Sequence, residues 1–230
     1  MATSSLLLLL ADGRFPAGAH AHSGGLEAAV AAGRVTDLAT LEAFLAGRLA
    51  TAGLVGAAFA AAAHRAVTSA GSAVRRSTLA LLDAELDART AAPALRTVSR
   101  RQGRALLRAG RAIWPEASFD DLPATPGGAH QPLVLGLLCA AAGLSRVETA
   151  TVATHGTVTG AASAAVRLLG LDPYQVQALL VGLASRCDGT AAAAARAADD
   201  PPERLPAAAA PLADIHAEAH ATWEVRLFAS

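Results

Sequence analysis

The feature that most constrains the fold is residues 37–66, a run dominated by alanine, leucine and glycine. Four leucines in its first half fall on one side of a helix, because steps of three or four residues return to the same helical face. These leucines are Leu38, Leu41, Leu45 and Leu49. Alanine and leucine favour helices, whereas the aromatic residues that favour strands make up only 3% of the chain. Since no segment shows a sustained period of two, the sequence predicts an all-α protein.

Proline, glycine and helix-capping residues divide the chain into eight to ten predicted helices. The predicted segments are a short helix ending near Gly13, a second between Ser23 and Gly33, a long one opened by Thr36, then Ser72 to Arg89, Pro93 to Trp114, Leu133 to Gly143, Ser145 to Gly170, Pro173 to about Ala198, and a last helix from near Pro211. Residues 115–132 are the clearest long loop. Because no repeat or better boundary is present, we expect one bundle-like domain over residues 1–230.

The charged residues exclude several classes of function. The chain has 19 basic and 19 acidic residues, so a global attraction to nucleic acid or to an anionic membrane is not expected. Every basic residue apart from histidine is an arginine. A phosphate-binding P-loop and a Schiff-base enzyme both need a lysine, and the sequence therefore excludes both.

Cysteine usage and hydropathy predict a soluble cytoplasmic protein that binds neither membrane nor nucleic acid. Cys139 and Cys187 lie far apart in apolar helical contexts, as is typical of reduced thiols in the cytosol. The N-terminal leucine run ends at Asp12 and is too short for a signal sequence. An uncharged window of roughly transmembrane length, Thr149–Val166, contains His155 and several hydroxyl side chains, so we interpret it as a buried helix.

The most unusual segment is RFPAGAHAHSGGLE, residues 14–27, which places His20 and His22 between two predicted helices. A tight metal site needs three or four converging ligands, and this segment supplies two. One interpretation is a metal-dependent helical hydrolase that takes a third ligand such as His155 or His216. The other is a loop that partner proteins contact, in which the histidines meet a metal weakly or in transit.

A second histidine pair lies in HAEAH, residues 216–220, where the spacing puts His216 and His220 on one helical face. Glu218 is turned about 200° away from His216 around the helix, so it cannot act as the base of a zinc protease. No G-x-S-x-G elbow and no C-x-x-C pair occurs either. The sequence therefore predicts no catalytic site and no cofactor, and it indicates histidines at the surface or at the edge of the core.

A row of arginines recurs every four residues on one predicted helix. The row comprises Arg96, Arg100, Arg104 and Arg108, with Arg101 and Arg111 beside it. Like charges at this spacing destabilise an isolated helix by roughly 0.2–0.5 kcal/mol per pair, so acidic groups are expected to compensate. They are either Asp83, Glu85 and Asp87 of the preceding helix or an acidic surface of a partner. Both alternatives stay open, and Arg100 and Arg104 are candidate partner contacts.

The C-terminal segment, residues 211–230, is unusually apolar for a chain end. It finishes with Trp223, Val225, Leu227 and Phe228. Most chain ends are polar and frayed, and apolar surface of this extent risks aggregation when exposed. We therefore expect this tail to dock, either onto its own domain or onto another chain.

Three stretches, in order, resemble the UreF family of urease accessory proteins. The opening LLLLLADGRFPAGAHAHSGGLEAAVAAGRV is similar in its Pro-x-Gly and Ser-x-Gly-Leu-Glu elements. The centre LLDAELDARTAAPALRTVSRRQGRALLR resembles the family in its Arg-Gln-Gly-Arg element, and DIHAEAHATWEVRLFAS resembles it in the terminal Arg-Leu-Phe. The chain departs from the family at His20 and His22, where an aromatic pair is common, and at Ala19, where glycine is common.

The resemblance implies an all-α chaperone without catalytic activity. Such a protein is a dimeric scaffold that bridges a UreD/UreH-type accessory protein and the GTPase UreG on apo-urease, where GTP hydrolysis is coupled to nickel insertion. The resemblance further implies that the opening loop and the C-terminal arginine shape the GTPase-docking surface, and that the apolar tail meets the second accessory protein. The implied contacts are His20, His22, Ser23, Glu27, Arg226, Leu227 and Phe228. The remaining alternative is a helical adaptor unrelated to urease.

Overall fold

A computed structural model describes residues 4–16, 21–69 and 71–228 of the chain. Within these residues the secondary structure is helical and contains no strand, which confirms the all-α single-domain prediction. The helices are α1 (Ser4–Ala11), α2 (Leu26–Ala31), α3 (Leu38–Arg48), α4 (Leu54–Ser69), α5 (Ser72–Arg89), α6 (Pro93–Ile113), α7 (Gln131–Ala141), α8 (Arg146–Leu169), α9 (Pro173–Ala197) and α10 (Pro211–Ala221). A π-helical turn, Leu49–Gly53, joins α3 and α4 into one continuous helix.

Local capping chemistry explains the boundaries of several helices. Ser145 and Glu148 form a reciprocal capping box at the start of α8, which ends at Gly170 with a φ of +65°. At α3 the prediction was off by one residue, because Asp37 rather than Thr36 caps the helix and accepts the Thr40 amide at 2.8 Å. The predicted loop 115–132 contains a 3-10 turn, Phe119–Asp121, and ends earlier than expected, since α7 begins at Gln131.

Helix α4 forms the centre of the array and packs against α7, α8 and α9. A Cβ added to Gly136 of α7 would lie 2.3 Å from the carbonyl oxygen of Ala60, so these two helices are in backbone contact. The α4, α8 and α9 interface consists of alanines: Ala57, Ala58, Ala150, Ala191, Ala194 and Ala195. Small side chains therefore produce the close helix packing that the composition predicts.

The continuous helix Leu38–Ser69 is long and apolar enough to cross a bilayer by length and composition alone. This is a different segment from the window Thr149–Val166, which forms most of α8 and has half of its residues buried. The C-terminal half of the long helix is enclosed by α7, α8 and α9. Such enclosure is typical of the central helix of a helical domain.

Candidate protein-docking site

The opening segment reaches α2 through a tight turn that only glycine adopts easily. Gly24 and Gly25 have φ values of +63° and +88°, in the left-handed region that side chains with a Cβ disfavour. Ser23, which precedes them, is fully buried, and its hydroxyl accepts the Glu27 amide at 3.2 Å. This turn fixes Glu27 in the first turn of α2 and directs its carboxylate toward the C-terminal tail.

Glu27 holds the tail through three hydrogen bonds. Its carboxylate accepts the Leu227 amide at 2.8 Å, the Phe228 amide at 3.1 Å and a bond from His220 Nε2 at 2.9 Å. Burial alone would raise the pKa of Glu27, but these donors outweigh the burial, so the pKa lies below its ordinary value. We call Glu27, His220 and the two tail amides the tail clamp. It joins residues that are about 200 positions apart.

The C-terminal half of helix α10 is held by polar contacts. Glu218 accepts the Ala94 amide at 2.7 Å and thereby caps the N-terminus of α6, where backbone N–H groups lack helical partners. Two residues further on, His220 is buried and stacks on Trp223, with the ring centroids 4.7 Å apart. His220 is thus a core histidine, and His216 is half-buried. Because Glu218 points to α6, the contacts agree with the exclusion of a zinc-protease geometry.

The last residues of the tail separate into a buried anchor and an exposed surface. Phe228 is 5% exposed and packs into a core cluster with residues of α2, α3, α8 and α9, while the Arg167 guanidinium lies 5.0 Å from its ring centroid. Val225 and Leu227, by contrast, are 83% and 64% exposed. Arg226 is exposed between them. The tail therefore docks onto its own domain and still presents apolar and cationic groups to solvent.

The predicted contacts divide accordingly. Ser23, Glu27 and Phe228 are buried against the chain's own core and support the surface from inside, and a direct partner contact at these residues stays a prediction. Accessible candidates are the half-buried His22 and the exposed Arg226 and Leu227. His20 lies outside the described residues.

Arg48 is part of this site, although the sequence did not single it out. Its guanidinium donates to the Gly24 carbonyl and lies so close to the turn that a Cβ on Gly24 would be 2.8 Å from it. Loss of water around the group lowers the pKa of Arg48 to about 10, so it remains charged at neutral pH. Its position, just before the π-turn after α3, gave no local signal of this long-range contact.

The described residues offer no group of three or more His, Cys, Asp or Glu side chains arranged to hold a metal ion. His22, His155 and His216 therefore do not form a ligand set with one another. Nothing in this part of the chain favours the hydrolase alternative.

The arginine row is compensated within the chain at one position above all. Arg100 is mostly buried and pairs with Asp83 at 3.0 Å and with Asp87 at 2.9 Å. His130 Nε2 donates to the same Asp87 oxygen at 2.9 Å. Burial would raise the pKa of Asp87, but these two partners lower it below the ordinary value. Arg100 thus faces inward, whereas Arg104 is exposed, and a partner contact at either residue stays a prediction.

Comparison with known proteins agrees with the resemblance noted in the sequence. The UreF family model matches residues 35–184. The chain is 47% identical over its full length to the urease accessory protein UreF of Mycobacterium sp. (strain JLS), and 44% identical over its full length to that of Mycolicibacterium vanbaalenii, covering all of each relative. It is 45% identical to the UreF protein of Mycobacterium tuberculosis (strain H37Rv) over 82% of this chain and 83% of that protein. The chain therefore belongs to the UreF family of urease accessory proteins.

Proposed function

We propose that this chain is a non-catalytic scaffold of urease maturation that bridges a UreD/UreH-type accessory protein and a UreG-type GTPase during nickel delivery to apo-urease. Family membership supports the general role in urease maturation and sets aside the alternative of an adaptor unrelated to urease. Nickel is the cargo of this process. The scaffold works in the cytoplasm, as a homodimer, and neither nucleic acid nor a membrane takes part.

The observation that supports this proposal best is the tail clamp. It places the opening segment and the C-terminal tail on one surface, with the buried Glu27 between them. Arg226 and Leu227 face solvent beside that carboxylate, and His22 is partly accessible on the preceding turn. Apolar groups next to a cation, on a backbone fixed by buried hydrogen bonds, are the features of a protein-docking surface.

In this proposal the surface around the tail clamp contacts two partners. Exposed Val225 and Leu227 provide an apolar contact for the UreD/UreH-type protein, because solvent-exposed apolar side chains gain most from burial at an interface. Arg226 and the turn that carries His22 complete the surface for the GTPase. A protein that binds both partners must therefore keep the tail in place, which is the task of Glu27.

Complex assembly tests the proposal directly. The purified chain is mixed with the UreD/UreH-type protein and the UreG-type GTPase of its host, and the mass of the product is measured by light scattering after gel filtration. We expect a stable complex that requires all three proteins and that Arg226→Ala weakens. Arg204→Ala is the matched control, because Arg204 is exposed on the 3-10 turn before α10 and makes no contact with the clamp.

A double variant tests the role of the opening segment. His20→Ala combined with His22→Ala is expected to reduce GTPase recruitment and urease activation. Wild-type recruitment and activation in this double variant would remove the loop from the mechanism. The absence of any complex, with every nucleotide and nickel concentration tried, would refute the scaffold itself.

A further inference from the structure

A groove on the arginine face of α6 has no role in the tail clamp. It has a volume of about 280 Å³ and lies between the N-terminal half of α6 and the glycine turn at 127–128. Pro93, Thr97 and Pro126 form part of its wall. The rest of the lining contains three arginines, Arg96, Arg100 and Arg104, and a single acidic residue, Asp87.

The three arginines differ in how far their donors are already used. Arg100 donates to both Asp83 and Asp87 and to the Gly128 carbonyl, so its charge is satisfied inside the chain. Arg96 uses only Nη1, which donates to the carbonyls of residues 90 and 91 at 2.7 and 3.0 Å. Arg104 likewise uses only Nη1, which donates to the carbonyl of residue 127.

Arg96 and Arg104 therefore each keep the Nε and Nη2 edge of the guanidinium without a partner among the described residues. That edge carries two parallel N–H groups whose spacing fits the two oxygens of a carboxylate. Neither arginine is paired with an acidic side chain in this part of the chain. Since Asp87 is already neutralised by Arg100, the groove retains a net positive charge.

Helix geometry sets the spacing of the two arginines along α6. Arg96 and Arg104 are eight residues apart on α6, which corresponds to about 12 Å along the helix axis. Each is braced by a carbonyl outside α6, so each guanidinium is held rather than free to swing. Two braced cationic forks on either side of a shallow groove form a site for more than one acidic side chain.

From these contacts we infer that the groove binds an acidic peptide segment of a partner protein, with carboxylates seated on the free edges of Arg96 and Arg104. Its volume lies at the lower end of the range of ligand pockets and accommodates the side chains of a bound segment. The inference rests on the groove alone and does not depend on the tail clamp.

The probe for a test is a fluorescein-labelled decapeptide of alternating glutamate and glycine, followed by fluorescence anisotropy. Its control is the same peptide with glutamine in place of glutamate. Arg96→Gln combined with Arg104→Gln is expected to weaken binding of the glutamate peptide by about tenfold or more for each lost pair of charge-assisted hydrogen bonds. Arg101→Gln combined with Arg108→Gln removes the same charge from the same helix outside the groove and is expected to change the affinity less than about twofold.

Arg96→Lys combined with Arg104→Lys tests whether positive charge alone is sufficient or whether the shape of the guanidinium is also needed. It perturbs the structure less than the double glutamine variant. It keeps both positive charges but loses both forks, so the peptide affinity is again expected to fall. Thermal unfolding of each variant shows that the fold is kept. Equal losses in the groove variant and the outside variant would overturn the inference in favour of diffuse attraction, as would the absence of peptide binding. Displacement of the peptide by inorganic phosphate at equal charge concentration would overturn it in favour of a general anion site.

Discussion

Replacing Glu27 by alanine is expected to release the C-terminal tail while the rest of the fold persists. The change removes the acceptor of the hydrogen bonds from His220, Leu227 and Phe228. The Leu227 amide can find water when the carboxylate is lost, because it lies near the surface. His220 cannot do so in place, since the residue is 1% exposed, and its Nε2 would be left as a buried donor without a partner.

The size of the effect follows from these three bonds. Hydrogen bonds to a charged group contribute about 1.5–3 kcal/mol each, and an unsatisfied buried donor costs about 1–3 kcal/mol. Water compensates for part of this loss at the two amides, so we expect the docked tail to be destabilised by about 2–4 kcal/mol. Because a chain end can open without global unfolding, this change corresponds to about a 30- to 1,000-fold loss of amide-exchange protection in the tail.

Hydrogen exchange of the Leu227 and Phe228 amides measures this directly, with amides of α4 as an internal reference. Glu27→Gln keeps an acceptor of the same shape without the charge and is expected to lose less protection than Glu27→Ala. Glu224→Ala is the matched control, because Glu224 is an exposed glutamate in the tail itself. Unchanged tail exchange in Glu27→Ala would refute the clamp, and equal loss of protection in α4 would show a global rather than a local role.

Three further predictions concern the helical array, and urea unfolding measures each. Gly136→Ala is expected to destabilise the fold by about 1–3 kcal/mol, because its Cβ would collide with the α4 backbone, whereas Gly156→Ala, with open space around it, is expected to stabilise it by about 0.5–1 kcal/mol. Arg100→Ala is expected to lower the free energy of unfolding by about 3–5 kcal/mol, because it leaves the buried Asp83 carboxylate without its ion-pair partner. Arg101→Ala, at an exposed residue, is expected to change the free energy of unfolding little. Burial lowers the pKa of His64 in the folded chain, so as the pH falls the unfolded chain binds the proton first. The free energy of unfolding therefore decreases below about pH 6.5, and His64→Gln is expected to reduce this dependence on pH.

Local chemistry made most of the fold predictable from the sequence. The Ser145 cap and the Gly170 stop bracket α8 as expected, and the prolines at 93, 173 and 211 mark the starts of α6, α9 and α10. These signals act within one helical turn, so they can be recognised without knowledge of the fold. The π-turn Leu49–Gly53 gave no such signal, because the chain stays helical there and only the hydrogen-bond spacing changes from that of an α-helix to that of a π-helix.

The candidate site was predictable only in part, because its contacts join distant parts of the chain. The sequence marked the opening segment and the tail as separate features, but no local pattern pairs Glu27 with His220, 193 positions away. One signal was present in retrospect: Glu27 is the single charged residue in the short, mostly buried helix α2. A buried carboxylate requires donors, and the donors came from the other end of the chain.

The arginine row illustrates the same limit. Sequence spacing identified the like charges on α6 and offered Asp83 and Asp87 as compensation, and the structure shows both aspartates on Arg100. The sequence spacing did not indicate that Arg104 and Arg100 would donate hydrogen bonds to the turn carbonyls of residues 127 and 128. Glycine turns expose backbone acceptors in a way that depends on the three-dimensional path of the loop.

The groups that hold the tail in position differ from the side chain that the tail exposes to solvent. Glu27 bonds to backbone amides, which every residue but proline supplies, so the register must come from the buried Phe228 ring. Phe228→Ser is therefore expected to raise tail exchange and to weaken complex assembly. Leu227→Ser, at a side chain that is 64% exposed, is expected to leave tail exchange unchanged and to weaken assembly alone. If Leu227→Ser frees the tail as much as Phe228→Ser does, the two functions are not separate, and the exposed side chain itself helps to hold the tail.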